Sequence, residues 1–419
     1  MTNKKINAEI INIGDELLCG QTINTNGAFI AQILRSIGID TQKIIVIKDN
    51  KIAIEKAVNA GLESADIVFI TGGLGTTNDD ITKQSISEIF GCPLEENLLA
   101  LQQIKATCEA FHIKCTKSIL WQALLPKGCV PIENPVGIAP GIWLNVSNKV
   151  LICTPGVPSE MKSMMTQHIK NQLITHFKPP FICDRYLKCF GIPEAMLSDK
   201  LQLFEQNLPP NISLAYLPSM GMITLRLSGY ADRSTELEQI MQQQIDNLKS
   251  IINEYIVSEG EADFPTLIQH LLVSKKKTLS TAESCTGGYI AHLLTSIAGA
   301  SQYFKGAVVA YDNQIKQNIL SVPQEILENY GAVSEQTVVI MAEQVRKLYQ
   351  TDYAISVSGI AGPGGGSKEK PVGTVWIAVA SENQTIARCF SMGKTRENVI
   401  CRTAQRSFYM LWQLINENK

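Results

Sequence analysis

"ADIVFITGGLGT", residues 65–76, decides the fold. Ile67 to Ile70 form an apolar run without a polar break, and Thr71-Gly72-Gly73-Leu74-Gly75-Thr76 follow at once. A short apolar run bounded by glycines reads as a strand buried in a sheet. Working back toward the start, "AEIINIG" is a second such run. "TNGAFIAQILRSIG" has helical spacing with Gly38 as its stop. "QKIIVIKD" is strand-like and "KIAIEKAVNAGLES" helical. Strands alternating with helices predict a doubly wound α/β domain, with helices on both faces of a mainly parallel sheet. Ligands of such sheets gather beyond the carboxyl ends of the strands. The chain places three polar or glycine-rich turns there: Gly14-Asp15-Glu16, the run from Thr71 to Thr76, and Pro155-Gly156-Val157-Pro158 after "KVLICT".

The 419 residues exceed one ordinary core, so two or three domains are expected. A net charge of −2 gives no electrostatic reason to expect nucleic acid or an anionic membrane as partner. The N-terminus runs directly into a strand-like segment, and no stretch has the length and apolarity of a membrane span. The 11 cysteines include no C-x-x-C pair, and 5 histidines are too few to suggest a Cys/His zinc cluster. This usage fits a cytoplasmic protein in which disulfides are not expected.

Beyond Lys178-Pro179-Pro180 the pattern becomes strand, helix, hairpin, helix, a small α+β domain whose order suits the KH type. Residues 171–255 hold 9 acids against 7 bases and lack a glycine loop for clamping a nucleic-acid backbone. A spacer or dimerisation role is expected there instead. After the polar connector "SEGEADF" a third domain follows, with helices over 264–275, 286–296 and 334–349, strands over 277–283 and 305–311, three further strand-like runs, and a terminal helix from Thr395. The predicted boundaries are 1–170, 171–257 and 258–419.

In that third domain "STAESCTGG" ends a strand with Ser284, Cys285 and Thr286. Helix capping by a hydroxyl is one reading of the turn; a nucleophile is the other. "GAVVAYDNQIK" favours the second, because a buried strand there releases Tyr311 and, one helical turn on, Lys316. A lysine whose pKa is depressed by burial can take a serine proton, and tyrosine can orient or relay. Cys285 is the rival nucleophile, without a histidine close in sequence to activate it. "SVSGIAGPGGG" follows a strand with Gly359, Gly362, Gly364, Gly365 and Gly366, a loop whose N–H groups can approach a phosphate or carboxylate. Together with Thr286, Gly287 and Gly288 at a helix start, it predicts an anion site.

"AESCTGG", "AYDNQIK", "GAVSEQT", "SGIAGPGGG" and "KPVGTVW" together resemble the C-terminal domain of the CinA family, the nicotinamide mononucleotide (NMN) deamidases. The resemblance implies a Ser/Lys pair with a nearby tyrosine at Ser284, Lys316 and Tyr311. It implies hydrolysis of the NMN carboxamide to nicotinate mononucleotide and ammonia. No cofactor is expected at that site. Thr286 to Gly288 would hold either the oxyanion or the 5′-phosphate. Asp312 stands where the family often has Ser or Thr.

"IGDELLCGQTINTN", "TGGLGTTNDDIT", "NPVGIAPG" and "TPGVPSEM" are similar to the N-terminal domain of the same family, which has the fold of molybdopterin adenylyltransferases. That likeness implies an ADP-ribose pyrophosphatase site dependent on a divalent metal of the Mg²⁺ kind. Gly14, Asp15, Gly72, Gly73, Thr76 and Gly156 would bind the nucleotide, and Asp79, Asp80 and Glu160 the metal. Helix capping is the plainer reading of Asp79 and Asp80. Thr76 replaces the proline usual after "GGLG". The family resemblance also implies a homodimer. An alternative is a nucleotide-sensing protein of regulation or competence without significant pyrophosphatase activity.

Overall fold

Ile67–Thr71 does form a strand buried along its whole length. The computed structural model describes residues 6–77, 80–219, 221–231 and 233–417. The first eight strands are β1 (Ile6–Ile13), β2 (Ile39–Ile47), β3 (Ile67–Thr71), β4 (Leu94–Glu96), β5 (Leu124–Pro126), β6 (Val130–Ile132), β7 (Gly141–Val146) and β8 (Lys149–Thr154). Six of them make one sheet in the order β2-β1-β3-β8-β7-β6, while β4 and β5 pair separately. β1 runs parallel to β2 and β3, and β3 parallel to β8. β7 and β6 add an antiparallel edge. Alternate residues of the central strands feed two cores. Ile10, Phe69 and Ile152 meet the helices Thr25–Ser36 and Pro158–Met164 on one face, whereas Ile11, Ile70 and Leu151 meet Lys51–Ser64 on the other. The chain after Met164 stays helical to Phe177, and Leu173 is buried in the first of these cores.

The chain divides into two compact units, residues 1–183 with 228–241, and 184–227 with 242–419. A small sheet built from β9 (Phe181–Phe190), β10 (Ile212–Ser219), β11 (Met222–Ala231) and β12 (Ile256–Glu259) has the order β10-β11-β9-β12. Helices Glu194–Gln206 and Ser234–Ile252 complete the strand, helix, hairpin, helix series read from the sequence.

The C-terminal domain carries β13 (Leu279–Glu283), β14 (Phe304–Val309), β15 (Tyr353–Gly359), β16 (Thr374–Ala380) and β17 (Thr385–Ser391), in the order β14-β13-β15-β16-β17. β13 is parallel to both its neighbours, and the last two strands run antiparallel. Again the faces alternate. Leu279, Ile355 and Ile377 pack under helices Phe264–Ser274 and Arg396–Glu417, while Ala282, Ala354 and Ala378 pack under Glu335–Tyr349. Phe190 of β9 lies against Phe264 and stacks on Tyr409, so the small sheet shares this core. In both large sheets the chain leaves a central strand first to one side and then to the other, which opens a crevice at the carboxyl ends. Among the described residues no helix is long and apolar enough to cross a membrane.

Candidate functional site

At the carboxyl end of β13 the backbone turns through Ser284-Cys285-Thr286-Gly287-Gly288 into the helix Tyr289–Thr295. Gly287 and Gly288 both have positive φ, 60° and 96°, which explains two glycines at this point of the sequence. The turn is held from below by a residue the sequence reading passed over. Glu283 is fully buried, and its carboxylate accepts the N–H groups of Gly288, Ile290 and Ala291 at 3.1, 3.0 and 2.8 Å. Thr286 donates its hydroxyl to the same carboxylate at 2.7 Å, and the Gly287 N–H bonds Ser284 O. Of the groups expected to meet an anion, the Thr286 hydroxyl and the Gly288 N–H are thus taken by Glu283 and the Gly287 N–H by Ser284 O. The anion at this helix start is the chain's own Glu283, whose charge suits the positive end of the helix. Of the turn's amides, those of Cys285 and Thr286 are not used in this way.

Ser284 is 8% exposed and its N–H bonds Val357 O of β15. On the other side Ala310 N–H bonds Glu283 O at 2.8 Å, continuing the β13–β14 register by one residue beyond Glu283 and Val309. Lys316 lies on the short helix Asn313–Asn318, which Asp312 caps by accepting the Gln314 N–H. It is only 1% exposed, and its Nζ donates to the carbonyls of Ala310 and Tyr311 at 2.8 and 3.3 Å. Burial draws its pKa below that of a free lysine, against the opposing influence of Asp312 and of Cys285. The Cys285 thiol is pushed up to about 12, chiefly by burial, with Glu283 adding to the shift and Lys316 and Arg396 reducing it. A cysteine so placed is a protonated, unreactive thiol at neutral pH.

Tyr311 points outward, 58% exposed, and its phenol oxygen accepts Arg396 Nη2 at 2.9 Å. Arg396 Nη1 donates to Gly362 O at 3.0 Å, so one guanidinium joins the Tyr311 turn to the glycine loop after β15. Sequence reasoning missed Arg396 because the start of the terminal helix carries no motif. In the loop, Gly362 has a φ of 81° and a Cβ there would strike Val372. Gly365 also has positive φ, whereas Gly364 faces open space.

In the N-terminal domain the three turns at the carboxyl ends of β1, β3 and β8 meet around a cavity of about 780 Å³. Gly14, Gly72, Gly73, Thr76, Gly156, Asp80 and Glu160 all line it. Asp15 does not. The helical turn Asp15–Leu18 instead brings the Glu16 carboxylate back over Gly14 and onto the wall. Asp79 lies outside the described residues. Asp80 accepts the Thr77 N–H at 2.9 Å and its hydroxyl at 2.5 Å. Glu160 is raised above the usual carboxylate range by burial, which the donated Asn134 amide at 2.7 Å opposes. Among the described residues no three His, Cys, Asp or Glu side chains converge as a metal-binding group.

Two buried residues behind this wall carry no motif signal. Lys83 is 1% exposed, lies 4.1 Å over the Trp121 ring and donates to Gln122 Oε1 at 2.9 Å. Gln122 in turn donates to Gly75 O, so the lysine fixes which way that amide faces. Burial lowers Lys83 to about 8, with Asp80 pulling it up. Asn26 donates to Thr71 Oγ1 and to Gly156 O, tying the turn after β8 to the end of β3.

Family models match in the same order along the chain: a probable molybdopterin binding domain over 9–175, the damage-inducible protein CinA KH domain over 184–258, and the CinA C-terminal domain over 261–415. A CinA-like protein of Cytophaga hutchinsonii is 41% identical over 420 residues, covering all of both chains.

The chain belongs to the CinA family.

A CinA-like protein of Flavobacterium psychrophilum is 39% identical over 98% of this chain and 99% of its own. Among solved structures, the competence/damage inducible protein CihA from Agrobacterium tumefaciens is 37% identical over 37% of this chain and 97% of that one, with a TM-score of 0.36. The fold expected from the sequence therefore holds in all three parts: a molybdopterin-binding type of α/β domain, a CinA KH domain and a CinA C-terminal domain.

Proposed function

We propose that the C-terminal domain hydrolyses the carboxamide of NMN to nicotinate mononucleotide and ammonia. The observation that carries this reading is the setting of Lys316. Its Nζ is buried and donates to the carbonyls of Ala310 and Tyr311, and the Ala310 N–H bonds Glu283 O, the residue next to Ser284. A neutral amine gives its two N–H groups to those carbonyls and keeps a lone pair for a proton. Lys316 takes the Ser284 proton as Oγ bonds the carboxamide carbon. The carbon–nitrogen bond then breaks and Lys316 returns the proton to the departing ammonia. Water hydrolyses the acyl-serine by the same route. The amides of Cys285 and Thr286 are the donors available to an oxyanion, and Arg396 suits the 5′-phosphate. Purified protein should release ammonia from NMN. A folded protein that releases none would reject the proposal.

For the N-terminal cavity we propose binding and hydrolysis of ADP-ribose. Its glycine-lined wall admits a pyrophosphate, and Asp80 and Glu160 provide hard oxygen donors. Mg²⁺ is characteristically held by one or two carboxylates and the substrate's phosphates, keeping several waters, and this donor set fits that habit. Such an ion would neutralise charge on the pyrophosphate. Asp80 orders the loop through Thr77, and the Lys83–Gln122 pair holds Gly75 in place. Ligand binding without turnover would support the sensing alternative. A homodimer working in the cytoplasm completes the proposal, and light scattering of the full chain tests the dimer.

A further inference from the structure

Between the helix Leu98–Ala110 and the turn that follows, two thiols face each other at the rim of the N-terminal cavity. Cys108 is buried near the helix end, and Cys115 is half-buried. Cys115 Sγ and Cys108 Sγ lie 2.8 Å apart. The chain brings them together by reversing through His112, whose φ is 54°, while Ile113 N–H bonds back to Cys108 O at 2.8 Å. This is a left-handed helix stop closed by a backbone bond to the last turn. Both sulfurs pack with Ile104, Ala123 and Ile119. The residues between them are not buried. Phe111 and Ile113 are large apolar side chains, 48% and 43% exposed, and both line the cavity.

We propose that Cys108 and Cys115 are a reversible redox pair whose disulfide straps residues 109–114 across the cavity rim. The oxidant is a low-molecular-weight disulfide. The more accessible Cys115, as thiolate, attacks one sulfur of that disulfide, forming a mixed disulfide and expelling one small thiol. Cys108 then attacks Cys115 Sγ and expels the second, so two protein thiols and one small disulfide become one protein disulfide and two small thiols. In the dithiol form, burial and the adjacent Cys115 push Cys108 up to about 11. Reversible disulfides of this kind are the redox-sensing exception in a reducing compartment. No third Cys, His, Asp or Glu joins the pair among the described residues, so a metal site is not the reason for the juxtaposition.

The test is incubation of the full chain with oxidised glutathione, followed by non-reducing peptide mapping and amide hydrogen exchange. The expected product has lost two hydrogens in a peptide joining Cys108 to Cys115, and dithiothreitol restores it. Cys115→Ser should give no intramolecular link, and Cys115→Ala serves if the serine variant folds poorly. Exchange over 109–114 should slow in the oxidised protein. A pair that stays reduced, or linkage of other cysteines in its place, overturns the assignment. Unchanged exchange in the linked protein overturns the strap.

Discussion

Lys316 Nζ lies 2.8 Å from the carbonyl oxygen of Ala310, the residue whose own N–H bonds Glu283 O immediately before Ser284. The lysine is thus anchored to the backbone that continues the β13–β14 ladder at the end of β13. Because its pKa is lowered by burial, the fraction present as free amine at a given pH exceeds that of an ordinary lysine. Deamidation should therefore rise with pH and level off below the pKa of an ordinary lysine. A kcat/KM profile that is flat from acid to alkaline pH would count against a lysine base. Lys316→Arg should abolish turnover while leaving the circular-dichroism spectrum intact, since a guanidinium stays charged.

Glu283 gathers three backbone N–H groups and the hydroxyls of Thr281 and Thr286 in a fully buried place. In Glu283→Gln one carboxylate oxygen becomes an NH₂ group that faces donors. Leaving buried donors unmet costs about 1–3 kcal/mol, so the variant should unfold at lower urea concentration. Deamidation should fall with it, because the turn that places Ser284 loses its anchor. Equal stability of the two proteins would show that the carboxylate's charge is not needed.

Arg396 bridges Tyr311 and Gly362 with its two terminal nitrogens. If it also meets the substrate phosphate, Arg396→Ala should raise KM for NMN roughly tenfold or more, from the loss of about 1.5–3 kcal/mol of charge-assisted hydrogen bonding. Tyr311→Phe, which removes only the phenol oxygen, should change KM less. Steady-state kinetics of both variants make the comparison, and a larger KM effect from the tyrosine would reverse these roles.

Asp80 holds Thr77 by two hydrogen bonds on the cavity wall, far in sequence from the Ser284 turn. Asp80→Ala should remove metal-dependent ADP-ribose hydrolysis and leave ammonia release from NMN unchanged. Loss of both activities together would contradict independent sites.

The motifs legible in the sequence are those whose residues are close together. The turn after β13 and the glycine run after β3 announce themselves because glycine and hydroxyl residues cluster where a strand ends. Their supports were not legible. Glu283 reads as one more residue of a buried strand, and it caps a helix from five to eight positions upstream rather than from the adjoining Ser or Thr where a cap is sought. Arg396 reaches Tyr311 only through the sheet order that brings β14 and β15 to either side of β13. Lys83 looks like a helix-surface lysine until Trp121 and Gln122 fold over it. Asp15 and Glu16 cannot be told apart by motif, since the local helical turn decides which carboxylate faces the cavity.

The most direct measurement is ammonia release from NMN by the wild type, Ser284→Ala and Cys285→Ala, with folding checked for each. The account predicts release by the wild type, loss in the serine variant and retention in the cysteine variant, because burial holds the wild-type Cys285 thiol protonated near neutral pH. Full activity in Ser284→Ala, or loss confined to Cys285→Ala, would contradict it.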